Sequence, residues 1–257
     1  MILSVQKAMK ILTVISDNGD EPITLAEISA KTGFPKPTCS HLIETLCFDG
    51  YVKKISHTKG YVLGPATHYL SRYGRYENKL ISLIRPIMSW MERKTRATVI
   101  LSVIQNNQKY IIAHIDKEQN LFEEHPLIRT DDIYRTATGR AILAQMNREE
   151  VKAVWENNGA PLPGDWDEVK SYEDLEKALK EICEEEIVIT KGSKRKDSNT
   201  KGFAAPLFKK MRCIGAIGLA WTRTTESEEE LCAIEERLSD ILLKGAKEIQ
   251  RRLSYEI

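Results

Sequence analysis

Apolar positions recur at helical spacing from the start of the chain: Val5, Ala8, Met9, Ile11, Leu12 and Ile15 follow Ser4 and stop at Asp17-Asn18-Gly19-Asp20. This predicts a first helix with Ser4 as its N-cap. Thr24, with Glu27 three residues on, is a capping-box signal for a second helix, whose apolar positions Leu25, Ile28 and Ala30 run out at Lys31-Thr32-Gly33. Beyond Phe34-Pro35, segment 36–48 sets Cys39, Leu42, Ile43 and Leu46 on one stripe and leaves Thr38, Ser40, His41, Glu44 and Thr45 nearer the other face. Asp49-Gly50 then turns the chain into two short strands, 51–55 and 60–63, around a polar tip at 56–59.

Three closely spaced helices and a basic hairpin describe a winged helix-turn-helix. Gly33 permits the sharp turn, and Pro35 and Pro37 carry a fixed φ suited to the first positions of a helix. A helix that enters the major groove of DNA meets base edges with short polar side chains near its N-terminal end, while lysines engage phosphates. Thr38, Ser40 and His41 suit the first task, and Lys36, Lys53, Lys54 and Lys59 suit the second. Thr24 and Pro37 complete the candidate DNA-contacting set. The alternative is a small-molecule-binding or enzymatic α+β protein whose winged helix makes protein contacts and whose lysines are a solvated surface.

Pro65 closes the wing, and a helical pattern through Tyr69, Leu70 and Tyr73 continues towards Leu80 and Ile84. Pro86 interrupts or restarts it before Ile87, Met88, Trp90 and Met91. The period then changes: 98–104 and 109–115 predict a hairpin, and strands resume at 187–190, 202–208 and 213–221. Helices are predicted at 136–146, 151–155 and 171–183, with a Pro- and Gly-rich loop at 157–165. The last segment opens with a Ser227/Glu230 capping box and carries Leu231, Ile234, Leu238, Ile241, Leu242, Ile249 and Leu253 on one face, to be covered by its own sheet or by another subunit. The class is α+β, divided as a DNA-binding domain at 1–66, a connecting helical segment at 67–95 and a second domain at 96–257.

Composition changes this picture little. The hydrophobic fraction of 42% and charged fraction of 29% are those of a water-soluble chain. No apolar run approaches the ~20 residues of a membrane span, and 1–15 lacks a signal-peptide pattern, so the cytoplasm is the expected compartment. The net charge of +1 hides an asymmetry: residues 1–75 hold nine Lys and Arg against six Asp and Glu, and the remainder is net negative. Cys39, Cys47, Cys183, Cys213 and Cys232 show no metal or disulfide spacing, and Cys39 and Cys47 fall on core positions.

Catalytic signals are weak. S-x-x-K occurs at 56–59 and 193–196 without its companion motifs, and no P-loop, dinucleotide fingerprint, H-E-x-x-H or G-x-S-x-G is present. The basic run Lys191, Lys194, Arg195, Lys196 is expected on an exposed loop, and His68, His114 and His125 are isolated. No catalytic residue, metal ligand or cofactor is expected.

Several separated motifs, in order, give a resemblance. ITLAEISAKTGFPKPTCSHLIETLCFDGYVKK at 23–54, GYVLGPA at 60–66, TATGRAILAQM at 136–146, GFAAPLF at 202–208 and CIGAIGLAW at 213–221 resemble the IclR family of bacterial transcriptional regulators over nearly the whole length. The resemblance implies a GAF-like C-terminal domain, an antiparallel sheet with flanking helices, that binds a small carboxylic or aromatic acid. It also implies a homodimer or homotetramer on double-stranded operator DNA, often as a repressor. The chain departs from the family at sites that matter. Pro37, Thr38 and His41 stand where a Ser-Thr pair and an Arg are usual in the recognition helix. In the pocket, Gly202 stands for a Cys, Gly218 and Ala220 for two Ser, and Thr190 or Lys191 for an Asp. These departures predict a roomier, less polar pocket for a larger or more apolar effector, lined by Ala137, Thr138, Thr190, Lys191, Gly202, Phe203, Gly218 and Ala220.

Overall fold

The computed structural model describes residues 2–19, 21–56, 60–73, 78–105, 108–116, 133–191, 199–223 and 228–255. It divides into two compact units, 1–76 and 77–257.

In the first unit, α1 (Leu3–Ser16) begins earlier than expected: the Gln6 N–H already bonds the Ile2 carbonyl, so Ser4 lies inside the first turn and caps nothing. Thr24 caps α2 (Leu25–Thr32) through a reciprocal box with Glu27, and Gly33 ends the helix at φ 74°. The Ser29 hydroxyl donates to the Phe34 carbonyl at 2.6 Å and clips the turn into α3 (Lys36–Phe48), which carries Pro37 in its first turn. The wing is β1 (Val52–Ser56) antiparallel to β2 (Gly60–Leu63), and Ile23 exchanges backbone hydrogen bonds with Tyr61, tying β2 to the entry of α2. Ile11, Ile15, Ile23, Ile28, Cys39, Ile43, Leu46 and Val52 form the core. This is the expected winged helix-turn-helix. Pro65 follows the end of the wing and is the first residue of α4 (Pro65–Tyr73), a position where a missing N–H costs nothing.

In the second unit, α5 (Asn78–Thr95) runs unbroken through Pro86, with buried Leu80 and Ile84 on one side of the proline and Ile87, Met88 and Met91 on the other. Packing along this whole face offsets the lost backbone hydrogen bond. The expected connecting segment 67–95 is thus divided, α4 lying in the first unit and α5 in the second.

The sheet is antiparallel throughout. Its strands are β3 (Thr98–Gln105), β4 (Gln108–Ile115), β5 (Val188–Thr190), β6 (Thr200–Lys209) and β7 (Arg212–Thr222), in the order β4-β3-β7-β6-β5. One face packs on α5 and on α9 (Glu228–Tyr255), where Leu238, Leu242, Ala246, Ile249 and Leu253 are buried. The long apolar face of α9 is therefore covered within the chain; Ser227, its expected cap, lies outside the described residues.

The other face packs on α6 (Ala137–Leu143). Beside it, α7 (Arg148–Asn158) and α8 (Tyr172–Glu184) close a satellite core with Ile133, Tyr134, Trp166 and Val169. Arg140 pins this module: it donates to the Tyr134 and Asp165 carbonyls at 2.7 and 2.6 Å and stacks 4.0 Å from the Trp166 ring centroid. Burial lowers its guanidinium pKa to about 10.

Candidate nucleic-acid and effector sites

The outward face of α3 is built by the same stripe that buries Cys39, Ile43 and Leu46. Lys36, Pro37 and His41 are exposed there, with Thr38 and Ser40 half-buried beside them. Lys53 and Lys54 are exposed on β1, and the Lys54 ammonium lies 5.8 Å from the Tyr61 ring centroid. Lys59 lies outside the described residues, as does the 193–196 segment. Thr24 is placed differently: its hydroxyl donates to the Glu27 carboxylate at 2.7 Å and accepts from the Glu27 N–H at 3.3 Å. Hydrogen bonding to Thr24 holds the Glu27 carboxyl below its usual range. The Thr24 hydroxyl is thus committed to the start of α2.

Two cations were not picked out along the chain. The Lys7 and Lys10 ammoniums lie 5.5 and 5.3 Å from the ring centroid of Phe34, the residue that leads into α3. Their spacing of three on a helix was the available signal, but only the tertiary packing of α1 shows that it points at the turn.

In the second unit, a cavity of about 270 Å³ lies between the sheet and the start of α6. Ala137, Thr138, Thr190, Lys191, Gly202, Phe203, Gly218 and Ala220 all border it, although they come from four separate stretches of the sequence. Ile100, Lys109, Ile111, Arg135, Thr136, Thr200 and Leu219 border it too and had not been singled out.

Two expectations need correction. Phe203 is fully buried in the core under α5 and α9, because it alternates with Gly202 and Ala204 on β6; it meets the cavity with its backbone rather than its ring. The glycines do not simply leave room. A Cβ at Gly218 would stand 2.6 Å from the Thr138 methyl, and one at Gly202 would stand 2.7 Å from the Thr190 hydroxyl. Threonines fill the space that the glycines vacate, so the lining keeps polar groups. Ser102 donates to Thr138 at 3.4 Å, and the Lys109 ammonium donates at 2.8 Å to Thr136, whose hydroxyl also caps α6 by accepting from the Gly139 N–H.

A second cavity, about 330 Å³, lies between α5 and α9 against Trp90 and Gly245 and touches none of the residues chosen from sequence. Among the described residues no cluster of three or more His, Cys, Asp or Glu could hold a metal, and no helix is long and apolar enough to cross a membrane.

Two family models match: the IclR helix-turn-helix domain over residues 4–56 and the bacterial transcriptional regulator IclR C-terminal domain over 76–251. Among curated relatives, the HTH-type transcriptional regulator KdgR of Escherichia coli K12 is 28% identical over 157 residues, 60% of this chain and 59% of the relative. The chain therefore spans about three-fifths of the length of that relative. KipR of Bacillus subtilis 168 is 23% identical, covering 91% of this chain and 90% of its own.

Solved structures share the fold. An IclR transcriptional regulator from Alicyclobacillus acidocaldarius superposes with a TM-score of 0.77 at 18% identity, covering 99% of this chain and 100% of its own. An IclR homologue from Microbacterium hydrocarbonoxydans, complexed with 4-hydroxybenzoate, superposes with 0.72 at 17%, covering 97% and 98%. With one model on the helix-turn-helix and the other spanning well over half of the residues, the chain belongs to the IclR family of bacterial transcriptional regulators.

Proposed function

We propose that this protein is a ligand-responsive, DNA-binding transcriptional regulator without catalytic activity. It acts in the cytoplasm, as a homodimer or homotetramer on double-stranded operator DNA. The observation that carries the reading is the pairing, in one chain, of an exposed helix N-terminus flanked by lysines with a separate cavity lined by apolar and cationic groups.

On the DNA side, Pro37, Thr38, Ser40 and His41 face base edges, while Lys36, Lys53, Lys54 and Lys59 take phosphates and Thr24 sets the start of α2. Paired heads suit a pseudo-palindromic site. On the effector side, the eight cavity residues chosen from sequence surround a small carboxylic or aromatic acid, a class in keeping with the 4-hydroxybenzoate bound to one structural neighbour. Effector binding changes operator affinity by a coupling of typically ~1–3 kcal/mol. Repression is favoured by two relatives named as repressors, the acetate operon repressor of Salmonella typhimurium and IclR of Escherichia coli, at 21% and 19% identity.

A salt-dependent gel shift on the DNA upstream of the protein's own coding sequence tests this. Specific retardation at ~100 mM salt, altered by small acids, is expected; its absence with and without acids would favour a winged helix that makes protein contacts.

A further inference from the structure

Lys7 and Lys10 stand on one border of the α1 stripe that buries Ile11 and Ile15, because residues three and four apart share a helix face. Both ammoniums sit on a single ring, 5.5 and 5.3 Å from the Phe34 centroid. The ring is half-buried against the core of the first unit. Its backbone is fixed from both sides: the Phe34 N–H donates to the Thr32 hydroxyl at 3.3 Å, and the Phe34 carbonyl accepts from the Ser29 hydroxyl at 2.6 Å. Thr32 is buried and donates to the Ile28 carbonyl at 2.7 Å, which anchors the ring to the last turn of α2. Two residues beyond Phe34, Lys36 opens α3.

One lysine stem is enough to cover a half-buried ring while its head stays in water. A second ammonium on the same ring adds like-charge repulsion, and an anion placed near both converts that cost into attraction. The position selects the anion, because this turn leads into the helix that enters the groove, and phosphates run along the groove's edges. We propose that Lys7 and Lys10 form a phosphate clamp on α1, holding two neighbouring phosphates of one DNA strand, and that Phe34 is the positioning residue that seats them. The clamp rests on the DNA-binding reading above and adds α1, a helix outside the helix-turn-helix pair, to the contact surface. An ammonium held on a ring face has fewer rotamers to lose when it meets a phosphate, so the seat raises affinity without adding charge. The contact carries no sequence information, since the phosphate is the same at every base. The wing repeats the arrangement: the Lys54 ammonium lies 5.8 Å from the Tyr61 centroid, and the Tyr61 backbone is tied to Ile23.

The test is the salt dependence of binding by the full chain to a random-sequence duplex, read by fluorescence anisotropy. Lys7→Gln together with Lys10→Gln should weaken binding by about 10-fold at ~100 mM salt and make the slope of log affinity against log salt shallower by about 2. The paired replacement by arginine should keep the wild-type slope. Phe34→Leu should weaken binding by about 3- to 10-fold with the slope unchanged, and Phe34→Tyr should bind as wild type. Once both lysines are glutamine, Phe34→Leu should cost little more, because the ring acts through them. An unchanged slope in the double glutamine variant overturns the clamp, and an equal loss from Phe34→Leu with and without the lysines overturns the seat. Amine labelling of the wild-type chain keeps the test independent of how the variants fold. The duplex should protect Lys7 and Lys10 while exposed Lys152 on α7 stays labelled, and full labelling of both α1 lysines overturns the clamp. If the wild-type chain binds no duplex at any salt, the DNA-binding reading falls and the clamp with it; if it binds with a slope that the glutamine variant shares, only the clamp falls.

Discussion

The winged helix-turn-helix and the cavity are built on opposite plans. Every DNA contact proposed from the sequence lies within residues 24–59 and is placed by features close to it in sequence: a capping box, a glycine at positive φ, a proline in a first turn. The cavity draws on Ile100, Lys109 and Ile111, on 135–138 and 190–191, on Thr200, Gly202 and Phe203, and on 218–220, which meet because β3 pairs with the non-consecutive β7 and α6 packs on the sheet. Local chemistry can be read along a chain; a wall made by strand pairing depends on register.

The sharpest way to separate the two halves is to remove charge from the winged helix. Replacing Lys36, Lys53 and Lys54 together with alanine should weaken operator and random DNA alike, on the order of 100-fold, and make the slope of log affinity against log salt shallower by about 3. Equal slopes for variant and wild type would show that these lysines do not meet phosphate.

In the cavity, Gly218→Val places new atoms against the Thr138 methyl and the Phe203 carbonyl. Effector affinity should fall by about 100-fold, with an overpacking cost of about 1–3 kcal/mol in thermal unfolding. Unchanged affinity would move the ligand elsewhere, with the α5/α9 cavity the next place to look.

His41→Ala should act more narrowly. Discrimination between operator and single-base variants should drop by about 10-fold at the contacted position, while the salt slope stays the same. A uniform loss over all sequences would make His41 a phosphate contact.

The smallest effect belongs to Thr24→Ala, which removes a helix cap at a cost of typically ~1 kcal/mol. Its pH dependence has a definite sign. The Glu27 carboxyl titrates lower in the folded protein than in the unfolded chain. The stabilisation it shares with Thr24 is therefore present above about pH 4.3 and lost as pH falls through the lower folded value. Melting curves of wild type and variant should converge in acid and separate towards neutrality.

Much of the fold was legible because it follows short-range rules. The Thr24–Glu27 box and the Gly33 stop stand where their residue types require, and Cys39, Ile43 and Leu46 mark the buried side of α3. Misreadings arose where tertiary packing overrides a local rule. Pro86 signals a break, yet burial on both sides carries α5 through it. Ser4 is a good cap by type, but the helix starts before it. Phe203 stands next to cavity residues in sequence and points to the other side of the sheet. Lys7 and Lys10 gain meaning only when α1 is packed beside Phe34.

By itself, then, the sequence determined that a winged helix-turn-helix precedes an α+β domain and which face of α3 is polar, and through the family resemblance it pointed to small residues at 202, 218 and 220 around one region, where they border a common cavity. Only the tertiary structure decided what that region is made of. A strand's alternation assigns faces only while its register holds, and one inserted residue reverses every position beyond it. The bulge between β3 and β4, where Ala113 faces Leu101 but Ile111 faces Ser102, is such an insertion, created by pairing between two strands rather than by the residues of either one. Through it Lys109, one charge among many along the chain, becomes the most deeply buried of the cavity's cations.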